Sequence, residues 1–418
     1  MPAPEPVPDP VRIAALATGG EGVGRLADGR VCFVAGTLPG ELVTVAIRQA
    51  KARWVRASLG EVLEASPERV EPPCRWQRAG CGGCDLMHAP LATQRSWRVR
   101  LVAESLQRLG RLADPVVEAG PPLPGEAVRT TVRLAVLDGR PALRRRASHE
   151  LQAIDRCLVL HPALDELLAT ARFGAGVHEV TLRVGAATGE RLAVLHPSAG
   201  RGAAVLPSDV LVVGADELRA HTGRGGPGAA SDQPVAVYHE VVAGRRWRIS
   251  AGSFFQSSAA GAEALVAEVR AAVRDTAGPA PARVLDAYCG VGLLSAAVSG
   301  SGVELVAVES NASSVADAAV NLADVEARIV QSRVERWRPE PVDLVVADPA
   351  RRGLAAAGAA TLAGTGAGAI VLVSCDMASL GRDAAELDRL GYRHRRSVVL
   401  DLFPHTSHAE VVTRFERR

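Results

Sequence analysis

Two periods of hydrophobicity divide this chain. From Val11 to about Ser66 apolar and polar residues alternate in short runs separated by glycine turns. Val31-Cys32-Phe33-Val34 follows Asp28-Gly29, and Glu41-Leu42-Val43-Thr44-Val45-Ala46 repeats the pattern. Alternation suits a half-buried strand, because successive side chains point to opposite faces. Several short strands at this spacing predict a small β-barrel over residues 1–68, of which the oligonucleotide-binding (OB) barrel is one common type. Pro72 and Pro73 punctuate the chain next. Leu91 to Leu112 predicts a helix, with Leu101, Leu106 and Leu109 set among arginines. Arg129 to Arg183 and Arg191 to Val213 predict strands and loops of a central domain over 69–250, of mixed α+β type. Thr222 to Pro234, rich in Gly, Ala, Ser and Pro, is expected to be a mobile surface loop.

After Gly252 the period lengthens. An amphipathic segment from Gly261 to Arg274 leads into the apolar strand Arg283-Val284-Leu285-Asp286. Strand and helix signals then alternate through Val303 to Glu309, Ala312 to Ala323, Val342 to Ala347, Gly368 to Ser374 and Ser379 to Leu390. That order predicts an α/β domain over 251–418, a mostly parallel sheet wrapped by helices in the Rossmann manner. The Ala/Gly tract from Leu354 to Ala369 fits a helix or a loop equally well.

Candidate chemistry gathers at the predicted strand ends. Val284 to Ala287 runs through Tyr288 and Cys289 into Gly290-Val291-Gly292. Glycines there let the backbone approach a ligand that a side chain would repel. Glu309 ends the next predicted strand, where an acid can accept hydrogen bonds from both ribose hydroxyls of a nucleoside. The pair favours a nucleoside cofactor, although spacing does not separate S-adenosylmethionine from a dinucleotide. Asp348-Pro349-Ala350-Arg351 and Ser374-Cys375-Asp376 each close an apolar run. Ligands of open α/β sheets bind beyond such carboxyl ends, so Asp348 and Cys375 are expected at one site. A thiolate is a natural nucleophile towards an electron-poor ring. The aromatic that amino-group methyltransferases place three residues after the acid is here Arg351. Leu402 to Glu410 adds two histidines and an acid, with no third ligand at a spacing that supports a metal site.

The 418 residues are 48% hydrophobic, enough for two or three cored domains, and no apolar run reaches membrane-spanning length. The proline-rich, acidic start MPAPEPVPDP lacks a secretion pattern, so a cytoplasmic location is expected. A formal charge of +2 hides a local excess: Arg75 to Glu150 holds 13 arginines against seven acids, a patch able to face phosphates. Because Lys51 is the only lysine, arginine can equally be this chain's general cation. Seven clustered cysteines fit metal binding or catalysis better than a disulfide framework. Cys74, Cys81, Cys84 and the distant Cys157 could hold zinc or an iron–sulfur cluster; the single Cys-x-x-Cys pair is typical of zinc. Cys32 and Cys289 are left for packing.

In this order the motifs resemble the RNA 5-methyluridine (uracil-C5) methyltransferase family over most of the chain. They are Ser253-Phe254-Phe255-Gln256, Asp286 to Gly292, Glu309, Asp348 to Arg351, Ser374-Cys375-Asp376, and Phe403-Pro404-His405-Thr406 followed by Glu410. The barrel resembles the TRAM domain that many members use to hold RNA. The resemblance implies an S-adenosylmethionine-dependent methyltransferase domain, with Cys375 as nucleophile and Glu410 as general base. Gln256, Tyr288, Gly290, Gly292, Glu309 and Asp348 would line the cofactor and substrate pocket. It also implies a [4Fe–4S] cluster on the four cysteines, in place of the zinc that spacing favours. The expected partner is RNA, ribosomal before transfer RNA, presenting an unpaired or flipped uridine to a monomeric enzyme. The sequence departs from the family pattern at Leu293 and Arg333, and the resemblance gives neither a role. Two other classes compete: a methyltransferase of DNA cytosine or a small molecule, and a non-catalytic iron–sulfur RNA-binding protein. The barrel with its cysteines and the Phe403 to Glu410 segment disfavour the first. Loss of methylation on replacing Cys375 separates an enzyme from the second.

Overall fold

The computed structural model describes residues 5–6, 9–198, 200, 202–218, 236–276 and 281–418; the expected loop Thr222 to Pro234 lies outside them. In the N-terminal unit, strands Val11–Leu16, Glu21–Arg25, Val31–Ala35 and Trp54–Glu64 pair in series. Leu42–Ala50 bonds both the first and the last, which closes a barrel. Alternate residues Val11, Ile13, Cys32, Val34, Val43, Val45 and Val55 point inward and form its core.

The central unit is a six-stranded sheet in the order Leu151–Ala153, Arg140–Arg144, Thr131–Leu137, Glu179–Val184, Arg191–His196, Val210–Gly214. A helix, Pro162–Thr170, lies where only strands and loops were expected. Pro162 is compatible with a first helical turn, and His161 Nδ1 accepts the Ala163 N–H at 3.3 Å. Leu164, Leu167 and Leu168 share the inner helical face and cover Leu134, Val180 and Leu182.

The C-terminal sheet has eight strands. Ala327–Gln331, Glu304–Glu309, Arg283–Ala287, Leu344–Ala347 and Ala369–Ser374 run parallel, followed by Glu410–Arg417, Tyr392–Leu400 and Val117–Ala119. Leu344–Ala347 and Ala369–Ser374 are buried throughout, as strands covered by helices on both faces must be. The winding direction reverses between Arg283–Ala287 and Leu344–Ala347. A crevice therefore opens at their carboxyl ends. The Ala/Gly tract proves to be a helix, Ala355–Gly364, favoured by its alanines and ended by Gly366 at φ 74°.

Segments from within 69–250 also build this C-terminal unit. Helix Leu91–Arg108 packs on helix Met377–Arg389, where Ser105 Oγ donates to the Met377 carbonyl at 2.6 Å. Gly381 permits the close crossing, because a Cβ there would stand 2.7 Å from the Ser105 carbonyl oxygen. Leu101 and Leu106 enter the core as the period predicts, but Leu109 is 41% exposed because the helix stops at Arg108. Strand Val117–Ala119 becomes the eighth strand beside Tyr392–Leu400. The hairpin Val237–Val242/Arg245–Ser250 sends Trp247 and Ile249 into the core on the other face.

Candidate active site

The cofactor turn begins where strand Arg283–Ala287 ends. Tyr288, Gly290 and Gly292 all have positive φ, at 65°, 57° and 96°. A Cβ on Gly290 would meet nothing within 4 Å, so the turn offers bare backbone to an open crevice; one on Gly292 would strike Leu322 at 2.9 Å. Glu309 reaches across from the next strand. Its Oε2 accepts the Gly290 N–H at 3.1 Å and its Oε1 accepts those of Ser310 and Asn311 at 2.6 Å each. Beneath the turn, fully buried Asp286 accepts Ser295 Oγ–H at 2.5 Å, and its other oxygen has no partner. Burial, with Asp348 and Glu309 nearby, pushes its carboxyl up to about 7. Exposed backbone flanked by acids fits a hydroxyl-rich, cationic nucleoside such as S-adenosylmethionine.

The sheet register gathers the reactive groups. Ala369–Ser374 pairs antiparallel with Glu410–Arg417, and Ser374 faces Val411. One residue beyond that pairing lie Cys375 and Glu410, near enough for the Glu410 carboxyl to act on the Cys375 thiol. Asp348 follows the neighbouring strand at the same edge, its N–H bonded to the Ala287 carbonyl at 3.3 Å. Glu410 is 2% exposed and its Oε1 has no hydrogen-bond partner. Burial raises its carboxyl well above the ordinary range, and Asp348 raises it further. Burial also raises Asp348. The Cys375 thiol is pushed up to about 11 by burial, then by Glu410 and Asp348, with Arg351 opposing. The crevice thus holds a protonated thiol beside two carboxyls that resist shared ionisation.

The other expected residues lie around this edge. Gln256 is buried just beyond the hairpin that carries Trp247. The Tyr288 ring turns towards helix Ala355–Gly364, and its hydroxyl donates to Glu335 at 3.2 Å. Leu293 is buried in the core beside Val291, which accounts for an apolar residue there. Arg333 is exposed ahead of the short turn Val334–Arg336. Phe403 to Glu410 forms a loop that sequence reasoning left without supports. Buried Arg98 supplies one: it donates to Asp401 at 2.8 Å and to the Thr406 carbonyl at 2.8 Å. A charged residue in an arginine-rich helix carries no signal of such burial. Several arginines of the basic stretch are paired with acids, among them Arg75 with Asp155, Arg78 with Glu71, Arg133 with Glu179 and Arg145 with Glu150.

Cys74, Cys81, Cys84 and Cys157 line one cavity of about 240 Å³ with Trp76, Met87 and Arg129. Burial raises the Cys81, Cys84 and Cys157 thiols, and the neighbouring cysteines raise them further. Among the described residues no three His, Cys, Asp or Glu side chains are grouped to hold a metal ion. Cys32 and Cys289 are buried. No helix among the described residues is long and apolar enough to cross a membrane.

The sheet order, glycine turn and acid-tipped second strand are those of a class I S-adenosylmethionine-dependent methyltransferase. Residues 10–59 match the TRAM domain. A protein of Streptomyces avermitilis described as an uncharacterized RNA methyltransferase is 35% identical, with 97% of each chain covered. The 23S rRNA (uracil(1939)-C(5))-methyltransferase RlmD of Chromohalobacter salexigens is 34% identical over 96% of this chain and 88% of its own. The fold matches that of Pyrococcus abyssi tRNA (uracil-54, C5)-methyltransferase in complex with S-adenosyl-L-homocysteine. Its TM-score is 0.71 at 21% identity, covering 97% of this chain and 99% of that one. The chain belongs to the RNA 5-methyluridine (uracil-C5) methyltransferase family.

The charge arrangement predicts how Cys375 titrates in the RNA-free protein. Alkylation by iodoacetamide, followed on the Cys375 peptide by mass spectrometry, should rise with pH and inflect near 11. Glu410→Gln removes a carboxylate that repels the thiolate wherever Glu410 is ionised, so the inflection should fall by about one unit. A wild-type inflection near 8 would contradict the described surroundings of the thiol.

Proposed function

We propose that this protein methylates carbon 5 of a uridine in RNA through a covalent adduct on Cys375, with large-subunit ribosomal RNA as the substrate. The observation that supports this reading is the nearness of Cys375, Glu410 and Asp348, whose charges act on one another at the ends of adjacent strands. Glu309, Asp348, Gln256 and the Gly290-Val291-Gly292 backbone would hold S-adenosylmethionine and the base. The cofactor supplies an electrophilic methyl group on sulfur.

Carbon 5 of uracil is a poor nucleophile. Cys375 gives up its proton to solvent and adds to carbon 6; the displaced ring electrons leave carbon 5 able to take the methyl group, whose bond to the cofactor sulfur breaks and leaves S-adenosylhomocysteine. Carbon 5 then carries both a methyl group and a proton. Glu410 takes that proton, the C–H electrons restore the 5,6 double bond, and the Cys375 thiolate departs. Raised proton affinity suits Glu410 to this task. Asp348 or Gln256 holds the edge of the base. Only a nucleotide outside its stack fits such a crevice, so the uridine is unpaired or flipped.

The four cysteines hold a [4Fe–4S] cluster in this reading. A lone zinc ion draws its sulfurs to about 2.3 Å from one point. The four cysteines here line one shared cavity of about 240 Å³, and thiolates are the donors an iron–sulfur cluster takes. Its role is to fix the fold around the site, with no redox step required. Protein purified without oxygen should carry about four irons and four acid-labile sulfides per chain, lost in Cys84→Ala. One zinc per chain in their place would overturn this part.

Covalent catalysis is tested by trapping. RNA with 5-fluorouridine should form a lasting adduct with the wild type, because fluorine cannot leave as a proton does, and none with Cys375→Ala. Glu410→Gln should slow turnover by about 10²- to 10⁴-fold and accumulate adduct on ordinary RNA. Undiminished methylation by Cys375→Ala would end the proposal. The ribosomal target draws on relatives named for 23S rRNA. Mapping 5-methyluridine in cells lacking this gene should show one missing site in large-subunit RNA; a missing site in tRNA would move the target there.

A further inference from the structure

The loop that ends at Glu410 is anchored by the cysteine segment. The His405 carbonyl accepts the N–H groups of both Asp85 and Leu86 at 2.9 Å. In return, Asp85 Oδ2 accepts the Ser407 N–H at 3.2 Å and the Ser407 hydroxyl at 3.1 Å. Asp85 directly follows Cys84, and Ser407 stands three positions before Glu410. The barrel closes the same junction through the Gly20 turn, at φ 76°: a Cβ on Gly20 would lie 3.0 Å from Ser407 Cβ and 3.4 Å from Asp85 Cβ. From the far side, Gln94 Oε1 accepts the His405 N–H at 3.0 Å and Arg98 holds the Thr406 carbonyl.

These bonds oppose a local tendency to relax. His405 has φ 62°, a conformation that costs a non-glycine residue free energy and persists only where its surroundings enforce it. Glu410 Oε1 makes no hydrogen bond that would set its own direction. The reach of this carboxyl is therefore fixed by the loop behind it and the strand ahead of it.

We infer that Asp85 is a positioning residue for Glu410: by holding Ser407 it aims the base at the proton on carbon 5, and so ties proton removal to the intact cysteine segment. This rests on the reading of Cys375 and Glu410 given above. It predicts a defect confined to the later half of the reaction, since adduct formation at carbon 6 needs Cys375 and not this loop. Asparagine at position 85 keeps an oxygen that can accept both Ser407 bonds, whereas alanine keeps none.

The experiment uses the full-length protein with its metal centre as purified, labelled S-adenosylmethionine, and unmodified transcripts of large-subunit rRNA and tRNA. Turnover, adduct on ordinary RNA and the rate of adduct formation on 5-fluorouridine RNA are measured together on denaturing gels. Asp85→Ala should lower turnover at least tenfold and accumulate methylated adduct, while trapping on 5-fluorouridine RNA stays within about twofold of wild type. Asp85→Asn should return turnover to within about threefold. Ser407→Ala, which removes only the hydroxyl bond, should fall between them and gives a second reading if Asp85→Ala folds poorly. The inference is overturned if neither Asp85→Ala nor Ser407→Ala accumulates adduct while Glu410→Gln does. It is equally overturned if trapping and turnover fall together, or if Asp85→Asn is as impaired as Asp85→Ala. Absence of adduct with Glu410→Gln itself would instead remove the assignment of the base.

Discussion

The antiparallel insertion of Glu410–Arg417 beside Ala369–Ser374 is the constraint on which the rest of the site depends. Five parallel strands can deliver Asp286, Glu309, Asp348 and Cys375 only from their carboxyl ends. A strand running the other way brings its first residue to that same edge, which is how Glu410 comes near Cys375. Register matters as much as direction, because a slip of one residue would turn Glu410 to the opposite face of the sheet. Phe415, fully buried near the far end of the strand, and the pairing of Leu400 with Glu410 hold it against such a slip.

That arrangement concentrates unfavourable charge. Asp286 and Glu410 each keep a buried carboxyl oxygen without a partner, and the thiol is flanked by acids. Arg351 and the Ser295 hydroxyl offset part of this, and the continuous apolar clusters on the two faces of the sheet carry the rest of the cost. Raised proton affinities follow from this physics, and they suit groups that must hold and release protons during a reaction. Arg98, although deeply buried, places its guanidinium on a carboxylate and on backbone carbonyls.

Much of the architecture was legible because it is local. The barrel strands followed from alternation, and the alternating elements after Gly252 from a change of period at glycine turns. Glu309 and Asp348 were legible for the same reason: each terminates an apolar run, and a run's end is a position in sequence. Contributions that cross long separations were not. Val117–Ala119 is too short to announce itself as the edge strand of a sheet begun some 160 residues later. Trp247 belongs to a core most of whose members follow it. Leu109 fits the helical period and is exposed only because the chain turns away at Arg108.

The sequence alone determined where the candidate groups stand: a thiol and several acids at the ends of apolar runs, and four cysteines set apart from them. These are matters of residue type and local period, which hold wherever the chain goes. Only the tertiary structure decided that Cys375 lies near Glu410, and that the four cysteines share one cavity. It alone brought Asp85, Gln94 and Arg98 round the loop from more than 300 residues away. Hydrogen bonds and charge repulsion act over a few ångströms of space, and no spacing along a chain encodes which distant groups will come that close.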